Sequence, residues 1–334
     1  MLEAWNDNMS LNFSPSWVSC LDESMSQWRN RYTCPGFMFV PRKPWPFGNE
    51  YHTVCCGQSR IMWGLELVEG QDARPNVRPE FEELGGKTIG LLVRMTRPIW
   101  FKGDVLVLDS GFCVLEGLIE LRKRGVFAAA VIKKRRYWPK WILGDHINRH
   151  FLEKKVSEVD CWRGFFPSDN QQIPFSIICM KEPNYVMMMM TTYGTNQEIE
   201  DGKTERVVRN DDGGTERIRF KYTEIFYNHF TYRHAVDDHN SNRHQPISIE
   251  VIWATHRWAN RVFAFLFAVS EVNTKLGCEY FCGYEKLPML TFRKKLAKAL
   301  IFNTALVEET NRDHRYNLRD RSIEHNILTV EPFK

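Results

Sequence analysis

The stretch from Asp104 to Ile132 constrains this chain most. DVLVLD, residues 104 to 109, is a short buried-strand signature that ends on a carboxylate. FCVLEGLIELRKRG follows, with Val114, Leu115, Leu118, Ile119 and Leu121 at a helical period closed by Gly125. VFAAAVI, residues 126 to 132, then reads as a second buried strand. Strand, helix, strand over this length is a parallel crossover, right-handed by default, so an α/β sheet is predicted.

The chain before it is β-rich. SWVSCL, residues 16 to 21, predicts a strand that delivers Asp22, and further strands fall at Phe37 to Val40, Glu50 to Cys56 and Ile61 to Val68. PRKPWPFGN is a connection punctuated by Pro and Gly, and EGQDARPNVRP is a charged loop. That loop leads to a helix near Lys87 with Leu91, Leu92 and Met95 on one face. A β-rich beginning followed by αβαβ makes the sheet mixed.

From about Lys133 to Tyr222 the pattern is irregular and reads as an inserted subdomain, with strand candidates FSIICMK and YVMMMMTTY. Its Met run is an adaptable core filler before it is a soft-metal site. Glu198 to Glu216, which contains DDGG, reads as a loop or hairpin tip. Helical periodicity returns in EIFYNHFTYRHAVDDHN, in IEVIWATHRWANRVFAFLFAVSEVN and in the basic FRKKLAKALIFNT. The predicted segments are a short N-terminal piece (1–15), a first core part (16–132), the insertion (133–222), C-terminal core helices (223–310) and a charged tail (311–334).

Hydrophobic residues at 43% and charged residues at 26% exclude a disordered chain. The longest apolar stretches fall well short of the roughly 20 residues that span a bilayer, so no membrane crossing is expected. MLEAWNDNMS lacks the basic start and apolar run of a secretory signal, which predicts a protein that stays inside the cell. Nine cysteines, odd in number and without a CxxC pair, read as reduced core residues. A net charge of +4 is too small to argue for nucleic acid. Its distribution says more: Lys133, Lys134, Arg135 and Arg136 precede Tyr137, Trp138 and Lys140, mixing cations with flat rings as phosphate-and-base surfaces do. The same run also fits a solvated strand end or a nuclear import signal.

Asp22 and Asp109 both follow apolar strands, and the carboxyl ends of central strands are where catalytic groups collect. Side chains alternate along a strand, so only one of Asp22 and Glu23 can join Asp109. Asp237, on a helix laid across that edge, would complete a three-carboxylate site for a hard divalent cation. Taken singly, Asp22 could be a turn residue, Asp109 a helix N-cap and Asp237 part of a surface charge cluster. His229, His234, His239 and His244 recur every five residues, which scatters them around a helix and predicts packing, capping or phosphate contacts. Cys278 and Cys282 form a lone pair with no further cysteine after them.

LDESMSQW followed by PRKPWPFG, then LVLDSGF, then YNHFTYRHAVDDHN resembles, in order and spacing, the catalytic region of piggyBac transposases and their host-adopted relatives, from about Ser16 to Thr304. The resemblance implies an RNase H-like mixed sheet flanked by helices, with a β-rich subdomain inserted before the last catalytic helix. It also implies that Asp22, Asp109 and Asp237 are catalytic metal ligands for two Mg²⁺ or Mn²⁺ ions. DNA is the implied partner, a homodimer the implied assembly and the nucleus the implied location. Where the family often has a further Asp, this chain has Asn240, with Asp238 adjacent but about 100° away on a helix. Little precedes Ser16 where the family has a dimerisation and DNA-binding region, and no cysteine-rich module follows the core. The expected function is metal-dependent DNA strand cleavage and transfer. The alternative is a catalytically silent, transposon-derived DNA or chromatin binder. An unrelated nuclease or phosphatase on the same fold would need motifs of its own, which are not seen.

Overall fold

A computed structural model describes residues 1–41, 43–68, 80–133, 144–168, 171–194, 196–209 and 213–303. They divide into two units, one of Met1–Lys286 and one that begins at Leu287. In chain order the first unit holds α1 (Leu2–Asn12), β1 (Val18–Gln27), β2 (Phe37–Phe39), β3 (Phe47–Cys56), β4 (Met62–Leu67), α2 (Lys87–Thr96), β5 (Val105–Leu108), α3 (Leu115–Lys123) and β6 (Phe127–Val131). It continues with α4 (Gly144–His150), β7 (Val159–Ser168), β8 (Gln171–Lys181), β9 (Val186–Thr191), β10 (Glu198–Arg209) and β11 (Thr215–Thr223). Helices α5 (Glu224–Tyr232), α6 (Ala235–Arg243), α7 (Ile249–Ile252) and α8 (Trp258–Phe281) close it. In the second unit one helix is described, α9 (Met289–Ile301), opening after Pro288. No helix among the described residues is long and apolar enough to cross a membrane.

The expected mixed sheet is present, with nine strands in the order β2-β3-β1-β5-β6-β9-β8-β7 and β4 paired to β3. β1, β5 and β6 run parallel, and the pairs on either side of this trio are antiparallel. The parallel centre is buried on both faces, which is why VLVL and AAA carry no polar position. α3 stops where the sequence places its stop. Gly125 adopts φ +70°, its N–H donates to the Arg122 carbonyl and that of Val126 donates to the Leu121 carbonyl, which closes the helix and turns the chain back into β6.

Helices cover both faces. On one, Leu21, Leu106, Leu108, Ala128 and Ala130 pack with α2, α3 and Phe151 just past α4. On the other, Cys20, Tyr51 and Leu65 meet α6 and α8, while Ala129, Met187 and Met189 meet α5. The methionine run resolves into this alternation: Met187 and Met189 serve one face, Met188 and Met190 the opposite one. All nine cysteines are free, and six of them are buried.

Three elements differ from the sequence reading. The strand expected to end before Asp22 continues to Gln27, because β3 pairs with it over its whole later half. The charged Glu198–Glu216 stretch is mostly strand: β10 and β11 form a separate two-stranded hairpin, while β7 to β9 add to the main sheet through β6. The first dozen residues form α1, which packs Leu2 and Trp5 into the α6–α8 side. Asn6 holds the free edge of β4 there, donating to the Leu65 carbonyl at 2.8 Å and accepting from its N–H at 2.9 Å.

Candidate active site

The β1–β5 register decides the geometry of the site. Leu21 pairs with Leu108 in parallel, so Asp22 on β1 and Asp109, the first residue past the end of β5, follow from level positions. Leu21 and Leu108 share one face of the sheet, so both carboxylates belong to the opposite face, the one covered by α5 and α6. β5 ends at Leu108 while β1 runs on with β3, so Asp22 and Asp109 lie at the carboxyl end of β5, the edge where α/β sheets collect functional groups.

Asp237 comes close enough to Asp22 to act on its carboxyl through a break in the helix that the sequence pattern reads as continuous. α5 stops at Tyr232, Arg233 and His234 turn the chain, and α6 restarts at Ala235 with Asp237 in its first turn. A carboxylate there is favoured by the unpaired N–H groups and positive end of the helix. Ala235 and Val236 anchor the turn against the Cys20 side of β1, and the Cys20 thiol donates to the Arg233 carbonyl at 3.2 Å.

Burial raises the Asp22 carboxyl to about 7, opposed by Lys43 and by the Glu23 N–H that donates to it at 2.8 Å, and reinforced by the charges of Glu23 and Asp237. Asp22 therefore feels the charge of Asp237. Asp109, partly exposed, sits 3.7 Å from the ammonium of Lys133, and Asp237 lies 3.8 Å from His234 Nδ1. Glu23 faces the other way, as alternation requires, and is held by Lys43 at 3.6 Å. Asp238 turns to Arg60 at 3.4 Å, and Asn240 accepts from the Arg243 guanidinium at 3.2 Å, so neither occupies the place of a further acidic ligand.

The donor set, three carboxylates with hard oxygens and Asp22 half-buried beside a like charge, suits Mg²⁺ or Mn²⁺ chemically. The side chains are not drawn into one coordination sphere: among the described residues no group of three or more His, Cys, Asp or Glu is close enough to share an ion. Of the basic strand end, Lys133 is in place beside Asp109, whereas Lys134, Arg135, Arg136 and Lys140 lie outside the described residues.

Two further residues at this site were not picked out as site residues by the sequence. Lys43 was visible only as part of PRKP, and the fold is what sets it against Glu23 and near Asp22. His229 is buried with both ring nitrogens unpartnered among the described groups, and burial lowers it to about 3, so its imidazole is neutral beneath the Asp109 side. His239 takes the packing role expected of it, bonded to Asn273 at 3.1 Å.

A sequence profile described as Transposase IS4 matches residues 1–274. The chain belongs to this transposase family. Among solved structures, the transposase core described here is similar to piggyBac transposase, seen by cryo-EM in a synaptic complex with hairpin DNA. The TM-score is 0.62 at 14% identity, over 88% of this chain. The likeness establishes the fold as that of the piggyBac catalytic region. This chain spans 54% of that protein, about half its length. No curated protein matches the transposase in sequence.

Proposed function

We propose that this transposase-family chain is the nuclease core of a piggyBac-type DNA transposase that cleaves and transfers DNA strands, with Asp22, Asp109 and Asp237 as the ligands of two Mg²⁺ or Mn²⁺ ions. The observation that supports the reading is the parallel β1–β5 register, whose last pair Leu21–Leu108 directly precedes Asp22 and Asp109, with Asp237 near enough to raise the Asp22 carboxyl. When bound, the ions neutralise the phosphodiester and sharpen the attacking water or 3′-hydroxyl. The chain's own residues supply the rest. Half-buried Asp22 on β1 and Asp237 on α6 would hold the ions with Asp109, and Lys133 beside Asp109 offers its ammonium to an incoming phosphate. The solved piggyBac complex contains hairpin DNA, and DNA is the substrate proposed here. A homodimer and nuclear location belong to the same proposal. The binding supplied by Lys133 and its basic neighbours reads phosphate and not base edges, so it is non-specific and salt-sensitive.

The test is a paired one. Mg²⁺ or Mn²⁺ should stabilise the wild-type chain by about 2.7 kcal/mol at a hundredfold excess over Kd. Mn²⁺ should also license nicking of supercoiled plasmid. Asp109→Asn should lose both responses while keeping its metal-free melting temperature. An unchanged metal response in the variant ends the assignment of Asp109. DNA binding with neither response makes the chain a silent DNA binder.

A further inference from the structure

The segment between Glu23 and Glu50 contains no Asp or Glu, yet it carries Arg29, Arg31, Arg42 and Lys43. Interleaved with these cations are aromatic residues, and the structure gathers three of them on one exposed surface. β2 is a three-residue edge strand whose register sets Phe39 opposite Phe47 and Phe37 opposite Asn49. The rings of Phe39 and Phe47 stack at 4.7 Å with 17° between their planes, and Phe37 lies nearly parallel to Phe47 at 6.4 Å. Phe39 is 55% exposed and Phe47 42%. In the turn leading into β2, the guanidinium of Arg31 lies over the ring of Tyr32 at 4.8 Å, and that ring is 83% exposed.

Stacked rings in water on an edge strand are a liability that folded chains normally cover or charge. The chain segment that presents them, residues 24–49, carries cations and no acidic residue, although Lys43 is held by Glu23 just outside it. A flat, exposed, parallel ring pair on a segment of this charge is the chemistry that receives unpaired bases: rings take the base faces and cations take the phosphates.

The position relative to the carboxylates also fits. Phe47 begins the strand whose Gly48 pairs with Gln27, the end of β1, so the rings lie about 17 Å along β1 beyond Asp22 at 3.3 Å per residue. That is roughly five nucleotides at 3.4 Å per step. Lys43 bridges the interval, donating to the Glu23 carbonyl at 3.1 Å.

We propose that the exposed face of β2 and the head of β3, on a segment whose charged residues are all basic, is a platform for single-stranded DNA, on which unpaired bases stack as a strand leads away from the carboxylates. This rests on the reading of the chain as a DNA transposase, and its test is run without metal so that the two stand or fall separately.

Binding of a short fluorescein-labelled oligothymidylate and of a duplex of equal length is measured by anisotropy in EDTA, for the full chain and for Phe39→Ala/Phe47→Ala. Loss of one stacked base is expected to weaken oligothymidylate binding by about 5- to 150-fold, with duplex binding within about twofold of wild type. Phe39→Leu/Phe47→Leu, which keeps the apolar contact between strands but removes the π faces, should show the same selective loss at an unchanged melting temperature. Equal weakening on both DNAs, or none on either, overturns the platform. So does a change from dimer to monomer in sedimentation with DNA binding untouched, which would assign the face to a second copy. Oligothymidylate binding without any metal response would leave the platform standing and remove the three-carboxylate reading instead.

Discussion

Asp22→Asn should make the metal-free protein more stable, and the size of the gain follows from where the carboxyl sits. An aspartate titrates near 3.8 in the unfolded chain, whereas burial raises Asp22 to about 7 in the fold. Each pH unit between the two is worth about 1.4 kcal/mol, so holding the charge inside costs on the order of 4 kcal/mol at pH above 7. The sign is set by the raised value. Below pH 3.8 the group is protonated in both states and variant and wild type should match. As pH climbs toward 7 the unfolded chain ionises first, and the wild type loses stability that the variant keeps. The amide oxygen of Asn can still accept the Glu23 N–H, so the variant forfeits little bonding. Thermal melts in EDTA from below pH 3.8 to above pH 7 should therefore show a gap that opens with pH and reaches on the order of 10 °C. Parallel pH profiles for the two proteins would refute the argument, because they would mean that Asp22 is solvated and carries no burial cost.

Other perturbations probe the scaffold. Arg243 is fully buried against Glu250, donates to the Met25 carbonyl at 2.8 Å and lies 4.6 Å above the Phe265 ring. Glu250→Ala strands that charge and should cost about 3–5 kcal/mol in urea unfolding; a loss under about 1 kcal/mol would show that water reaches it. Asn6→Ala removes both bonds to Leu65, and should cost about 1–3 kcal/mol and speed hydrogen exchange at the Leu65 amide. Gly48→Ala should be among the most damaging changes, at least about 3 kcal/mol. Gly48 adopts φ +144° and a Cβ there would stand 1.9 Å from the Ser26 carbonyl oxygen, so a folded variant with near-normal melting would contradict the strand geometry.

The parallel centre was legible because its signals are local. VLVL, the α3 periodicity, Gly125 and FAAAV each declare themselves within a few residues, and order alone makes them a crossover. Asp109 could be picked out for the same reason, as a charge next to an apolar run, whereas the choice of Asp22 over its neighbour Glu23 needed the family resemblance. The length of β1 was not legible, since SMSQ has no strand signature of its own and owes its conformation to pairing with β3. The α5–α6 break was hidden as well: neither Gly nor Pro marks Arg233–His234, and only the packing of Ala235 and Val236 on Cys20 and its neighbours redirects the helix. β7 was missed because VDCWRGFFPS mixes charge, Gly and Pro, which the ladder with β8 tolerates at the margin of the sheet. Lys43 reached the site through tertiary structure alone.

The parallel pairing of β1 with β5, and of β5 with β6, has a kinetic consequence. Neither pairing can form by zipping outward from a turn, because each joins strands separated by whole intervening elements, and the β1–β5 contact closes across β2, β3, β4 and α2. Chain entropy of that loop must be surrendered before the contact returns anything, which places such pairings late and slow on a folding pathway. The β1–β3 and β3–β4 ladders, local and antiparallel, can form earlier without bringing Asp109 near Asp22. A chain caught partway would thus own a good part of its sheet and none of its candidate chemistry, and the carboxylates would come together only in molecules that have completed the fold.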